Sequence, residues 1–373
     1  MYFWATKNVI IEIQFNHMRF YKKTIHLHKL LIINILSIFL LTISCQKKEV
    51  NTEPAETDYP KAYVVNGGSN TISILDLNDL TAKKIIQLTD VGRFPHHIDL
   101  SPDSKKLAVA IPEFDFILGH AALHNATDKK GGVTVINAQT GATLLKIPLP
   151  NANFNAVFSP DGTEIWTATA THSGEMYVFD AITGIQKAKI ALGSDPSEVT
   201  FSKDGQYAFV ALGESSFVYV FKVSTKEIVK TIKVDAFPTN VWAGNDGKIY
   251  VENKVALSIN IIDTQTLTVK EFIDVNFKPG QTAYNQSLNE LWVCQSGENK
   301  VAFFERKNNV WTLKGNIETG NDAHAVTFSK DEKTAYIVNQ IGNTVSVIDV
   351  ANHQKLKDIN VGKQPNGIVL EEN

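Results

Sequence analysis

Six of the ten histidines in this 373-residue chain fall in loop-like contexts rather than in apolar runs. His96 and His97 lie in "RFPHHIDL", His120 and His124 in "LGHAALHNATDKK", His172 in "ATHSGEM" and His324 in "NDAHAVTF". Neutral imidazole is the commonest nitrogen ligand of protein-bound metals, so such a set suits a transition-metal or haem-type site. Glu113, Asp115, Asp128 and Glu175 occupy the same stretches and would add oxygen ligands or orient the rings from behind. The plainer reading has His96 and His324 bonding to loop backbone and the others solvated. "HAALH" sets two imidazoles on one helical face but lacks the HExxH pattern, so it adds little. No GxSxG elbow, P-loop or CxxCH attachment motif occurs, and no spacing assembles a Ser-His-Asp triad.

The elements that must position these residues are short and repeated. "TAYIVN", "NTVSVIDV", "KLKDINV" and "GIVL", from Thr334 to Leu370, are β-branched runs bounded by Gly, Asn, Asp or Pro, which is how half-buried strands and tight turns are written. Weaker copies recur back to Lys61 with a period of about forty residues, four strands to a copy, as in propeller blades. Turn chemistry agrees between copies at Pro102-Asp103, Pro160-Asp161-Gly162, Asp204-Gly205 and Asp246-Gly247. The chain starts on a second-type strand and ends on a first-type strand, "QPNGIVLEEN", so the last strand is expected to complete the first blade beside Ala62 to Asn66. Seven blades follow.

In such a ring, the loops before each innermost strand and those joining second to third strands share one face, and the six histidines sort onto it. At matching positions the copies place His96, Asn155, Ser197, Thr239, Gly280, His324 and Asn366, then His97, Glu198, Asn240 and Gln281 one residue on. That mixture of donors and acceptors suits a hydroxyl-rich or amide-rich ligand. Phe94, Phe116, Phe154, Phe237, Trp242 and Phe277 lie nearby as blade wedges or stacking platforms. An insertion over residues 113–130 of the second copy is the best single pointer to function, because specificity in rigid scaffolds is grafted on loops.

"AYVVNGGSNTISILDL" and "AYIVNQIGNTVSVIDV", with the linker P-x-x-I-x-x-S-P-D, resemble the YVTN β-propeller repeat of surface-layer and cytochrome-d1-like proteins, over Lys61 to Leu370. The resemblance implies an all-β, seven-bladed propeller of four-stranded antiparallel blades across residues 61–373. Arg19, Lys22, Lys23 and Lys29 precede an apolar run at 30–44 that is short for a membrane span. "LTISC" resembles a bacterial lipobox with Thr42 where leucine is usual, which implies a leader over residues 1–44, a true start at Met18 and lipidation of Cys45. Residues 45–60 are polar and Pro-containing and read as a flexible tether. Gln46 in place of aspartate implies an outer-membrane address. Cys294, the other cysteine, reads as a buried core thiol.

A formal net charge of −3 shows no basic excess and argues against nucleic acid as a partner. The expected function is therefore a non-enzymatic ligand-binding or scaffold lipoprotein of the cell envelope, held to the membrane by its lipid. A small molecule or protein would sit on the loop face through His96, His97, Asn155, Glu198, Asn240, Gln281, His324 and Asn366, with an outer-membrane transporter as a further partner. Propellers of similar appearance capture cobalamin, hold d1 haem or carry the copper cluster of nitrous oxide reductase. The alternative is thus a redox-related metal or haem propeller using His96, His97, His120, His124, His172 and His324. A lactonase-like hydrolase is a third possibility.

Overall fold

The computed structural model describes residues 59–89, 91–127 and 130–372. The leader, Met18, Cys45, nearly all of the 45–60 tether and Asp128 lie outside the described residues, as does the side chain of His120. Seven four-stranded antiparallel sheets make a seven-bladed β-propeller. Six blades take their strands in chain order from inside to outside; blade 1 takes its innermost strand, Pro365–Glu371, from the C-terminus. That strand pairs with Lys61–Asn66 as expected, in a register that sets Ala62 opposite Leu370 and Val64 opposite Ile368. Lys61 Nζ lies 3.2 Å from Glu371 Oε1, and the Tyr63 hydroxyl donates to Glu371 Oε2 at 2.6 Å.

Burial explains the strand types. The second strand of each blade is covered on both faces by neighbouring blades, so "KAYVVN" and "ELWVCQ" are buried throughout and tolerate no alternation. The outermost strands turn most of their residues to water, and each carries an isoleucine that faces the seam between blades: Ile86, Ile147, Ile190, Ile232, Ile273, Ile317 and Ile359. All of these but Ile190 are fully buried. On the far face, the first hairpin of four blades is closed by one device. Ser101, Ser159, Ser202 and Ser329 each donate to the aspartate two residues on, at 2.6–2.7 Å. That hydroxyl is the main cause holding Asp103, Asp161, Asp204 and Asp331 below the usual carboxylate range. Cys294 is free and buried, and burial pushes its thiol well up.

Where the innermost strands begin, pairing slips. His97 is an extra residue between the His96–Ala110 and Ile98–Val109 pairs, and His324 sits unpaired between Ala323 and Ala325. Ser197 and Glu198, Thr239, Gly280 and Gln281, and Asn366 occupy the same offset in their own blades. A bulge leaves a residue out of the ladder and re-aims its side chain. Here the ring of bulges surrounds the mouth of the central channel.

Candidate functional site

A cavity of about 580 Å³ opens at that mouth, lined by His96, His97, His324, Asn240, Gln281, Trp242, Lys254 and Lys278 among others. His96 and His97 start the innermost strand of blade 2, His96–Leu100, and His324 lies in that of blade 7, Ala323–Phe328. Neighbours in a regular strand point to opposite faces. The bulge cancels that alternation, with His97 at a φ of 47°, and both rings reach the same space. Ring centroids are 4.3 Å apart for His96 and His97, 6.1 Å for His96 and His324, and 6.4 Å for His97 and His324. Each ring offers one nitrogen within 4.8 Å of the others.

The protonation of these rings follows from their surroundings. Burial holds His96 well below its ordinary value and His324 down to about 3, with His97 and Lys254 adding to the effect. Both are neutral at pH 7 and keep a lone pair. His96 Nδ1 is 2.9 Å from the Phe154 carbonyl oxygen, which can only accept, so Nδ1 carries the hydrogen and Nε2 is the basic nitrogen. His97 Nε2 lies 2.9 Å from Glu198 Oε1, leaving Nδ1 as its other nitrogen. Glu198 is fully buried, and neither of its oxygens receives a well-directed hydrogen bond among the described residues. Behind it, Glu252 accepts from Asn240 Nδ2 at 2.6 Å. Burial, then the neighbouring Glu198 charge, pushes Glu252 up to about 8.

Not every residue expected to bind is free to do so. Asn155 donates to the Val199 carbonyl at 2.9 Å and accepts from its amide at 3.2 Å, and Asn366 donates to the Pro95 carbonyl at 3.1 Å. These two amides tie adjacent blades together. Glu175 is engaged by Tyr177 and Lys189, Glu113 lies 3.5 Å from Arg93, and Asp115 caps a 3₁₀ turn, Phe116–Leu118. Of the aromatics, Phe116, Phe154, Phe237 and Trp242 line the cavity, whereas Phe277 packs into a blade core. The six histidines do not form one set: His124 and His172 stack on each other at 4.2 Å and belong to a separate cluster with Glu214. The cause is reach, since bulged strands deliver rings to the axis while the insertion and the longer loops meet over blades 3 and 4. Sequence reasoning passed over Glu252 and Lys254, in and just after the second strand Lys248–Asn253, and Lys278, just before the innermost strand Pro279–Asn285; all three look like ordinary strand or loop residues.

The sequence model of the choice-of-anchor I domain matches residues 50–254, more than half of the chain. This chain belongs to the choice-of-anchor I domain family. No curated protein matches this family member by sequence. Among solved structures, a protein of unknown function from Desulfotomaculum acetoxidans is 16% identical with a TM-score of 0.68, over 83% of this chain and 98% of that one. The periplasmic gluconolactonase of Pseudomonas aeruginosa is 15% identical with a TM-score of 0.66, over 84% and 99%. Dihydro-haem d1 dehydrogenase NirN is 14% identical with a TM-score of 0.59, over 83% and 74%. At such identities the likeness is one of fold.

Proposed function

We propose that this choice-of-anchor I chain is a binding propeller of the cell envelope in which His96, His97 and His324 hold a transition-metal ion at the channel mouth. The observation that carries the reading is Glu198. A fully buried carboxylate whose one close polar neighbour among the described residues is the His97 ring, 2.9 Å away, is costly to hold charged, and a cation nearby reduces that cost. Metal on the histidine side supplies such a cation, with Glu198 orienting His97 and the Phe154 carbonyl orienting His96, as outer partners of ligating imidazoles do. Three protein ligands leave a position open toward the cavity. Lys254, Lys278 and the indole N–H of Trp242, which has no partner among the described residues, suit a small anionic, oxygen-rich ligand there. The lipid anchor at Cys45 and the outer-membrane address belong to the same proposal and rest on the leader sequence; a transporter partner belongs to it through a resemblance of architecture and address to other envelope propellers.

Zinc loaded onto the full chain and retained through dialysis, counted by mass spectrometry, tests the site. His96→Ala with His324→Ala is expected to lose the channel ion outright. Glu198→Gln is expected to weaken it by about 10–100-fold, the usual cost of removing an outer partner. Unchanged zinc content and affinity in both variants would remove the proposal.

A further inference from the structure

A second cluster lies away from the channel histidines, where three chain segments meet. His124 comes from the short helix His120–Asn125 of the insertion, His172 from the loop between Glu164–Ala168 and Glu175–Asp180 in blade 3, and Glu214 from the loop after Tyr207–Leu212 in blade 4. The two rings stack at 4.2 Å with 15° between their planes, and His172 Nδ1 is 2.5 Å from Glu214 Oε2. The three side chains offer ligand atoms all within 4.8 Å of one another. We infer that His124, His172 and Glu214 form a second divalent-cation site, of the zinc type, that staples the insertion to blades 3 and 4.

The backbone under this cluster is built to hold it. Ser194 and Asp195 are consecutive non-glycine residues at φ of 48° and 52°, a conformation such residues rarely adopt. In that shape the Ser194 amide donates to the His172 carbonyl and the Glu214 amide donates to the Ser194 carbonyl, both at 3.0 Å. The same turn therefore ties together the main chain of two of the three ligand residues before any ion arrives. Asp195 Oδ1 lies 3.5 Å from His124 Nε2. Two imidazoles and one carboxylate are the donors that borderline first-row divalent ions take. Tetrahedral bonds of about 2.0–2.1 Å need donors about 3.3 Å apart, so Glu214 would open slightly from His172 to admit the ion.

The staple reaches the cavity. Leu123, next to His124, is buried against Phe114, Ala152 and Ala170. In the same insertion Phe116 stacks on Phe154 at 4.1 Å and packs on His96 at 4.9 Å. An ion on His124 thus steadies the segment that walls the channel site, without sharing a ligand with it.

Zinc content of the full chain after loading and dialysis, compared between wild type, His172→Ala, Glu214→Gln and the His96→Ala/His324→Ala pair, tests this. His172 is 68% exposed, so its alanine variant is expected to fold normally. Two ions in wild type and one in His172→Ala are the expected result. Wild-type zinc content in His172→Ala overturns the inference, whatever the channel variant does. One wild-type ion that is lost with His172→Ala alone sustains this site and removes the channel proposal. Hydrogen exchange reads the stapling: zinc should slow amides of residues 113–127 in wild type and not in His172→Ala, and equal protection in both overturns that role.

Discussion

Glu252 sets the alkaline edge of this fold, and the buried histidines set the acid edge. A carboxyl raised to about 8 keeps its proton in the folded chain where the unfolded chain has lost it. Stability therefore falls as pH rises from the ordinary carboxyl value to about 8, by up to about 1.4 kcal/mol per unit from this group. In metal-free protein, Glu252→Gln is expected to gain thermal stability over wild type at pH 8 and little at pH 5. Parallel melting curves from pH 5 to 8 would show that Glu252 ionises freely. The histidines work with the opposite sign. His324, held at about 3, stays neutral while the unfolded chain takes up protons, so its contribution is whole above about pH 6.5 and is lost as pH falls. Metal-free His324→Asn should lose less melting temperature than wild type between pH 6.5 and 4.5, as followed by circular dichroism. An equal loss in both proteins would mean that His324 is not the group responsible.

At the level of strands, an isoleucine on each outermost strand, buried in every blade but that of Ile190, carries the seam between blades. Ile359→Ala is expected to cost about 2–5 kcal/mol in urea unfolding, because a large side chain leaves a cavity. Leu356→Ala, on the same strand but 56% exposed, should change stability by less than about 0.5 kcal/mol. Comparable losses at the two positions would mean that the strand's own propensity, not the plug, decides. Strand existence, the four-strand repeat and the turns at Asp103, Asp161 and Asp204 were legible because β-branched runs and Pro-Asp or Asp-Gly turns are local chemistry, whereas the serine that closes each turn on its aspartate emerged only from the structure. Grouping of the side chains was less legible. The loops could be assigned to a face, but the separation of His124 and His172 from His96, His97 and His324 depends on how far each bulge or loop reaches. Pattern alone also could not tell Asn155 and Asn366, spent on backbone of the next blade, from Asn240, which faces the cavity.

The whole ring depends on its last strand. Pro365–Glu371 pairs with Lys61–Asn66 and also packs against the innermost strands of blades 2 and 7, the two that deliver the channel histidines. Without it, the fully buried Lys61–Asn66 would present an unpaired edge to water, and blades 2 and 7 would lose the element between them. The ion pair and hydrogen bond at Glu371 would vanish too, leaving Lys61 and Tyr63 without their partner across 308 residues of sequence in the case of Tyr63. Deleting residues 367–373 is therefore expected to lower the melting temperature far more than excising the insertion helix His120–Asn125. The same deletion should abolish channel-site zinc, because His97 and His324 no longer share a frame. Retention of wild-type melting by the truncated chain would mean that the blades hold together pairwise and that the C-terminal strand is an ornament of the ring rather than its clasp.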